Sequence, residues 1–120
     1  MAHILAIDDS FSLRQLLARA LAEGGHKVTE AKDGMEALVI AQAQGADLVI
    51  TDVNMPQMDG LTLIKRLRGL PAYRHVPILV LTTEMDPAKK RIAKDAGATG
   101  WIVKPFDPVL LLATIRKVLD

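Results

Sequence analysis

The chain has 120 residues, half of them hydrophobic, with 15 basic and 14 acidic side chains, a formal net charge of +1 and no cysteine. That is the size of one ordinary domain, able to bury roughly two-thirds of the surface its unfolded form exposes, and its balanced charge gives no field to attract nucleic acid or an anionic membrane. The missing cysteines exclude a disulfide framework, a thiolate metal site and a cysteine nucleophile together.

The opening Met1 to Ile7 has no basic leader, and no apolar run reaches the ~18 to 20 residues of a membrane span. A soluble, unexported protein of the cytoplasm is expected. Ile4 to Ile7 is an apolar run of strand length that stops at Asp8-Asp9. Leu13, Leu16, Leu17, Ala20 and Leu21 then recur at helical period, predicting an apolar stripe laid on a sheet, until Gly24-Gly25 ends it. Lys27 to Ala31 is a second, more polar strand, as an edge strand should be, and Gly34 to Ala43 is a weaker second helix. Leu48 to Asp52 is the third strand. Asp59-Gly60 precedes a third helix with Leu61, Ile64 and Leu67 on one face. Ile78 to Thr82 is the fourth strand, and Asp86-Pro87 starts the fourth helix with an N-cap acid followed by proline. Trp101 to Val103 is the fifth strand, running into Lys104-Pro105. Asp107-Pro108 starts the last helix, whose predicted buried face is Leu111, Leu112, Ile115, Val118 and Leu119.

Strand-length runs alternating with helical segments predict βαβ units, that is, a doubly wound α/β fold with a five-stranded parallel sheet and five helices. All strands but the second are nearly continuous in apolar residues, the pattern of strands buried on both faces. No Gly, Ser or Pro stretch is long enough for a linker, and the last helix runs to the last residue. Residues 1–120 are therefore expected to be one domain without an output domain, acting through contact with another protein.

If the first, third and fifth runs are neighbouring parallel strands, Asp8, Asp9, Asp52 and Lys104 converge at the carboxyl edge of the sheet, where open α/β sheets place their ligands. Three carboxylates are hard oxygen ligands of the kind magnesium prefers, too few to close an octahedron, so positions remain for water and a substrate phosphate. Their mutual repulsion favours a bound cation. A carboxylate at the tip of an interior strand can attack phosphorus, as in aspartyl-phosphate ATPases, which makes Asp52 the candidate acceptor. Metal and Lys104 would neutralise the transferring group, and Thr82 could donate a hydroxyl to it. Each element is commonplace taken singly: an Asp-Asp helix cap, a turn Asp, a Lys-Pro loop, a Thr ending a strand. Four in this order are not.

In that order and spacing the residues resemble the receiver domain of two-component response regulators. Asp8-Asp9 resembles the acidic pair of that family, Asp52 with Met55-Pro56 and Met58-Asp59-Gly60 its phosphoacceptor loop, Thr82-Thr83-Glu84 its hydroxyl switch, and Lys104-Pro105-Phe106 its lysine and proline. Asn54, Glu84 and the aromatic at 101 are most similar to single-domain chemotaxis regulators of the CheY type. The resemblance implies a flavodoxin-like (CheY-like) fold with strand order 2-1-3-4-5. It also implies phosphorylation of Asp52 by a histidine kinase (CheA-like) or a small phosphodonor, with Mg2+ held by Asp9, Asp52 and the backbone carbonyl of Asn54. Asp8 assists through water, and Thr82 and Lys104 grip the phosphoryl group. The Lys104-Pro105 bond is expected to be cis, a state that context must hold because X-Pro bonds otherwise favour trans by ~0.5 to 1 kcal/mol. Thr82, Trp101 and Pro105 are the implied switch residues, remodelling the face of the fourth helix, fifth strand and fifth helix. The implied protein is a cytoplasmic monomer that is no enzyme beyond assisting its own phosphorylation and dephosphorylation, and its target is a flagellar motor switch protein or another downstream protein. Two departures are Thr83, where a small residue is usual, and Trp101, in place of the usual tyrosine.

Other readings share parts of this pattern. A small Mg-dependent aspartyl-phosphate phosphatase of the haloacid dehalogenase type wants a second Asp two residues after the nucleophile, where Asn54 stands. A flavin or dinucleotide module wants glycines after the first strand, where Asp8-Asp9 stands. A phosphate sink or a docking receiver in a phosphorelay would keep the fold and serve another end. For Trp101 the plain alternative is core packing. His3, His26 and His75 show no ligand spacing and read as ordinary surface or strand-edge residues; Lys89-Lys90-Arg91 reads as the solvated side of the fourth helix.

Overall fold

In a computed structural model, residues 2–55, 57–83 and 86–120 are described. Strands and helices alternate as β1 (His3–Ile7), α1 (Phe11–Glu23), β2 (Lys27–Ala31), α2 (Gly34–Ala43), β3 (Leu48–Asp52), α3 (Gly60–Arg68), a 3-10 turn (Pro71–Tyr73), β4 (Ile78–Thr82), α4 (Pro87–Ala96), β5 (Gly100–Val103) and α5 (Pro108–Leu119). The five strands pair in parallel in the order β2-β1-β3-β4-β5. That is the doubly wound topology expected from the sequence.

Alternation along each strand sends side chains to two separate cores. Ile4, Ala6, Leu48, Ile50, Leu79 and Leu81 pack with Leu17 and Leu21 of α1 and Leu111 and Ile115 of α5. On the other face Leu5, Ile7, Val49 and Val80 meet Ala37 of α2, Leu63, Ile64 and Leu67 of α3, and Ala93 of α4. Every residue of β3 is buried, because it has strands on both edges and helices on both faces. The starts expected at Asp59, Asp86 and Asp107 hold, and Ser10 and Asp33 cap the first two helices in the same way: each of the five accepts a backbone N–H of its own first turn.

Three expectations need correction. β5 is not fully buried: it is the second edge of the sheet, and Trp101 and Val103 are each 39 % exposed. Its apolar character therefore reflects one covered face rather than two. In α1 only Leu17, Ala20 and Leu21 are buried, while Leu16 turns off the sheet toward the Pro105 to Pro108 segment. In α5 the buried positions are Leu111 and Ile115, with Leu112, Val118 and Leu119 half-covered at its rim.

Candidate functional site

The strand order reverses between β1 and β3, and the residues at the carboxyl ends of these two neighbours are Asp8-Asp9 and Asp52. One carboxylate oxygen from each of Asp8, Asp9 and Asp52 lies within 4.8 Å of the others. Lys104 joins them from the edge strand: its backbone N–H donates to the Thr82 carbonyl at 2.9 Å, carrying the β4–β5 ladder one step further. Its Nζ then stands 3.1 Å from Asp52 Oδ1 and 3.3 Å from Asp8 Oδ2. The Lys104-Pro105 peptide is cis.

Burial sets the electrostatics. Asp8 is 1 % exposed and Asp52 6 %. Loss of solvent pushes the Asp52 carboxyl above its ordinary value; the Lys104 hydrogen bond and charge oppose this, the Asp8 charge adds to it, and the Val53 amide pulls back. Asp52 Oδ1 accepts from Val53 N–H at 2.8 Å as well as facing Lys104. Asp8 Oδ1 accepts from Ser10 N–H at 2.8 Å, but the buried Oδ2 takes no hydrogen bond, although Lys104 Nζ is within ion-pair reach. A buried acceptor with no donor is costly. A cation seated among the three carboxylates would satisfy it, and an all-oxygen donor set suits a hard divalent ion such as magnesium.

The remaining residues singled out in the sequence are only partly at this centre. Thr82 ends β4 and, with Asn54, Val80, Leu61 and Ala93, lines a cavity of about 290 Å³ between β4, the β3–α3 loop and α4. Gly60 N–H donates to the Val53 carbonyl at 2.8 Å, and a side chain at 60 would collide with the Asp52 carbonyl, which explains the Asp59-Gly60 pair. Pro105 is exposed. Trp101 is not core: its ring lies 4.6 Å from the Lys90 ammonium, which sits over the ring face. Thr83 is exposed, while Glu84 and Pro56 lie outside the described residues. His3 bonds the Gly45 carbonyl and Thr29, and none of the histidines joins a metal-type cluster among the described residues.

Sequence reasoning missed Arg14. Its Nη1 donates to the Asp8 carbonyl at 2.7 Å and its Nε pairs with Glu30 at 3.1 Å. No local pattern links Arg14 to Glu30, which is 16 residues away on another element.

A lysine ammonium, a buried carboxylate at a strand tip and a cluster of three acids meet at the reversal of a 2-1-3-4-5 parallel sheet, the arrangement of a receiver-type signalling module. The chain belongs to the response regulator receiver domains, whose family model matches residues 4–116. It is homologous to the CheY chemotaxis response regulators: the chemotaxis protein CheY homolog of Campylobacter jejuni is 38% identical over 118 residues, 97% of this chain and 91% of that protein. The chemotaxis protein CheY4 of Vibrio cholerae superposes with a TM-score of 0.95 at 49% identity over 98% of both chains. The receiver domain of a Pseudomonas aeruginosa sensor histidine kinase, solved with magnesium coordinated in its active-site cleft, gives 0.92 at 25% identity over 98% of this chain and 97% of that one. No helix among the described residues is long and apolar enough to cross a membrane.

Proposed function

We propose that this receiver accepts one phosphoryl group on Asp52 from a CheA-like histidine kinase, or from a small phosphodonor, and passes the signal to a flagellar motor switch protein or another cytoplasmic target. The observation that carries this reading is Lys104 Nζ at 3.1 Å from Asp52 and 3.3 Å from Asp8, beside a carboxylate oxygen that lacks a donor. Asp52 Oδ1 is engaged by Val53 N–H and Lys104, which leaves Oδ2 to attack. The new O–P bond forms as the donor's bond to phosphorus breaks and the departing group keeps that electron pair.

Asp9, Asp52 and the backbone carbonyl of Asn54 would hold Mg2+, with Asp8 assisting through water. The ion supplies positive charge that orients and neutralises the phosphoryl oxygens. Lys104 and Thr82 would hold those oxygens from the other side. The transferred group carries ~1.5 to 2 negative charges in place of the single charge that the Asp52 carboxylate gives up, and its effect is read out on the face made by α4, β5 and α5 through Thr82, Trp101 and Pro105. Reversing a 1:99 population needs roughly 5.5 kcal/mol of preference for the active form, a sum to which the bound target contributes.

Intact-mass measurement after incubation with acetyl phosphate and MgCl2 tests the assignment. The wild type should gain one phosphoryl group and Asp52→Asn none. Equal uptake by both forms would place the acceptor elsewhere.

A further inference from the structure

We propose that Arg14 is a positioning residue for the cation site, fixing the peptide between Asp8 and Asp9 so that both carboxylates address one divalent ion; this rests on the magnesium reading above. Asp8 is pinned at three points. Its N–H donates to the Ala31 carbonyl of β2 at 3.2 Å, its Oδ1 accepts from Ser10 N–H, and its carbonyl accepts from Arg14 Nη1 at 2.7 Å. Only Oδ2 remains, pointed at Lys104 and the site. The carbonyl that Arg14 grips belongs to the peptide unit leading directly into Asp9, the exposed member of the cluster.

Arg14 is itself held. Nε pairs with Glu30 Oε1 at 3.1 Å, Gln15 donates to the same oxygen at 2.9 Å, and the guanidinium lies 5.6 Å from the centre of the Phe11 ring. Its side chain is only 13% exposed. A fork with one prong on a carboxylate of β2 and the other on the metal loop ties that loop to the sheet edge, a use for which arginine, with its rigid planar donors, is suited and lysine is not. Residues that orient metal ligands from behind typically change affinity by 10 to 100-fold when removed.

The sign of the effect separates positioning from simple charge. Arg14→Met deletes a positive charge near three carboxylates and frees Glu30, so electrostatics taken singly would tighten magnesium binding. Positioning predicts the reverse. Calorimetric titration of the unphosphorylated protein with MgCl2 should show Arg14→Met binding about tenfold more weakly, with far-ultraviolet dichroism unchanged. Arg14→Lys, which keeps the charge but loses the fork, should fall between, and it answers the same question if Arg14→Met does not fold. Arg19→Met, on the exposed side of the same helix, is the charge control and should not weaken binding. Unchanged or tighter binding in both Arg14 variants overturns the proposal. A wild type that binds no magnesium overturns the reading of the site instead.

Discussion

Asp52 holds a charge that folding does not favour. Because burial raises its carboxyl above the ordinary value of 3.8, the folded state binds this proton more tightly than the unfolded chain does. The stability owed to this group therefore falls as pH rises from about 3.8 through the raised folded value, and above that the penalty is constant. Asp52→Asn should then stabilise the protein at pH 7 without magnesium, on the order of 1 kcal/mol. The gain should vanish in acid, where both side chains are neutral, and shrink in saturating MgCl2; urea midpoints at each condition read this directly. Trp101 gives a second residue-level test. It is the chain's single tryptophan, so its fluorescence reports the Lys90 contact without interference. Removing a cation from an exposed ring costs about 0.5 to 1 kcal/mol. Lys90→Ala should lower the anisotropy and shift the emission, and an unaltered spectrum would show that Lys90 does not hold the ring.

At the scale of elements, the acids that start the helices also fix the loops of the site. Asp59 Oδ1 accepts from Thr62 N–H at 2.8 Å, which holds its carboxyl below the ordinary value, and α3 begins where Gly60 packs against the end of β3. A depressed carboxyl stabilises the fold fully above the unfolded value of 3.8 and loses that contribution as pH falls through the folded one. Asp59→Ala should cost about 1 kcal/mol at pH 7, and the gap to wild type should narrow at pH 3 in denaturant melts. Capping acids, Gly60 and the strand-tip carboxylates were legible because each acts through its immediate neighbours in the chain. The exposure of β5 was not: Trp101-Ile102-Val103 is as apolar as an interior strand, and only its place at the sheet edge uncovers one face. Arg14 escaped for the same reason, since its partners are set by tertiary packing rather than by spacing.

Across the whole molecule, the end of the sheet opposite the site is braced by one half-buried side chain. Arg68, from the end of α3, donates to the carbonyls of Tyr73 at 2.8 Å, Val76 at 2.6 Å and Gly97 at 2.8 Å. It thus ties together the turn before β4 and the turn before β5, where Gly97 holds a φ of +118° and has Arg68 packed against it. Arg68→Met would leave several carbonyls without a donor and should cost about 3 kcal/mol. Because the partners are neutral, the loss should depend little on salt, and the protein that remains folded should still take up phosphoryl at Asp52. Survival of full stability in a thermal melt would show that water replaces the guanidinium.

The two halves of the proposed phosphoryl grip differ in what holds them. Asp52 ends a strand laced to neighbours on both flanks, whereas Lys104 follows a strand laced on one flank alone. Displacing the first would tear two ladders; sliding the second disturbs one. On the proposed assignment an incoming anion would meet a fixed anvil and a movable jaw, and the segment it would drag is the half-bare border strand bearing Trp101, where an arriving protein would feel the tug.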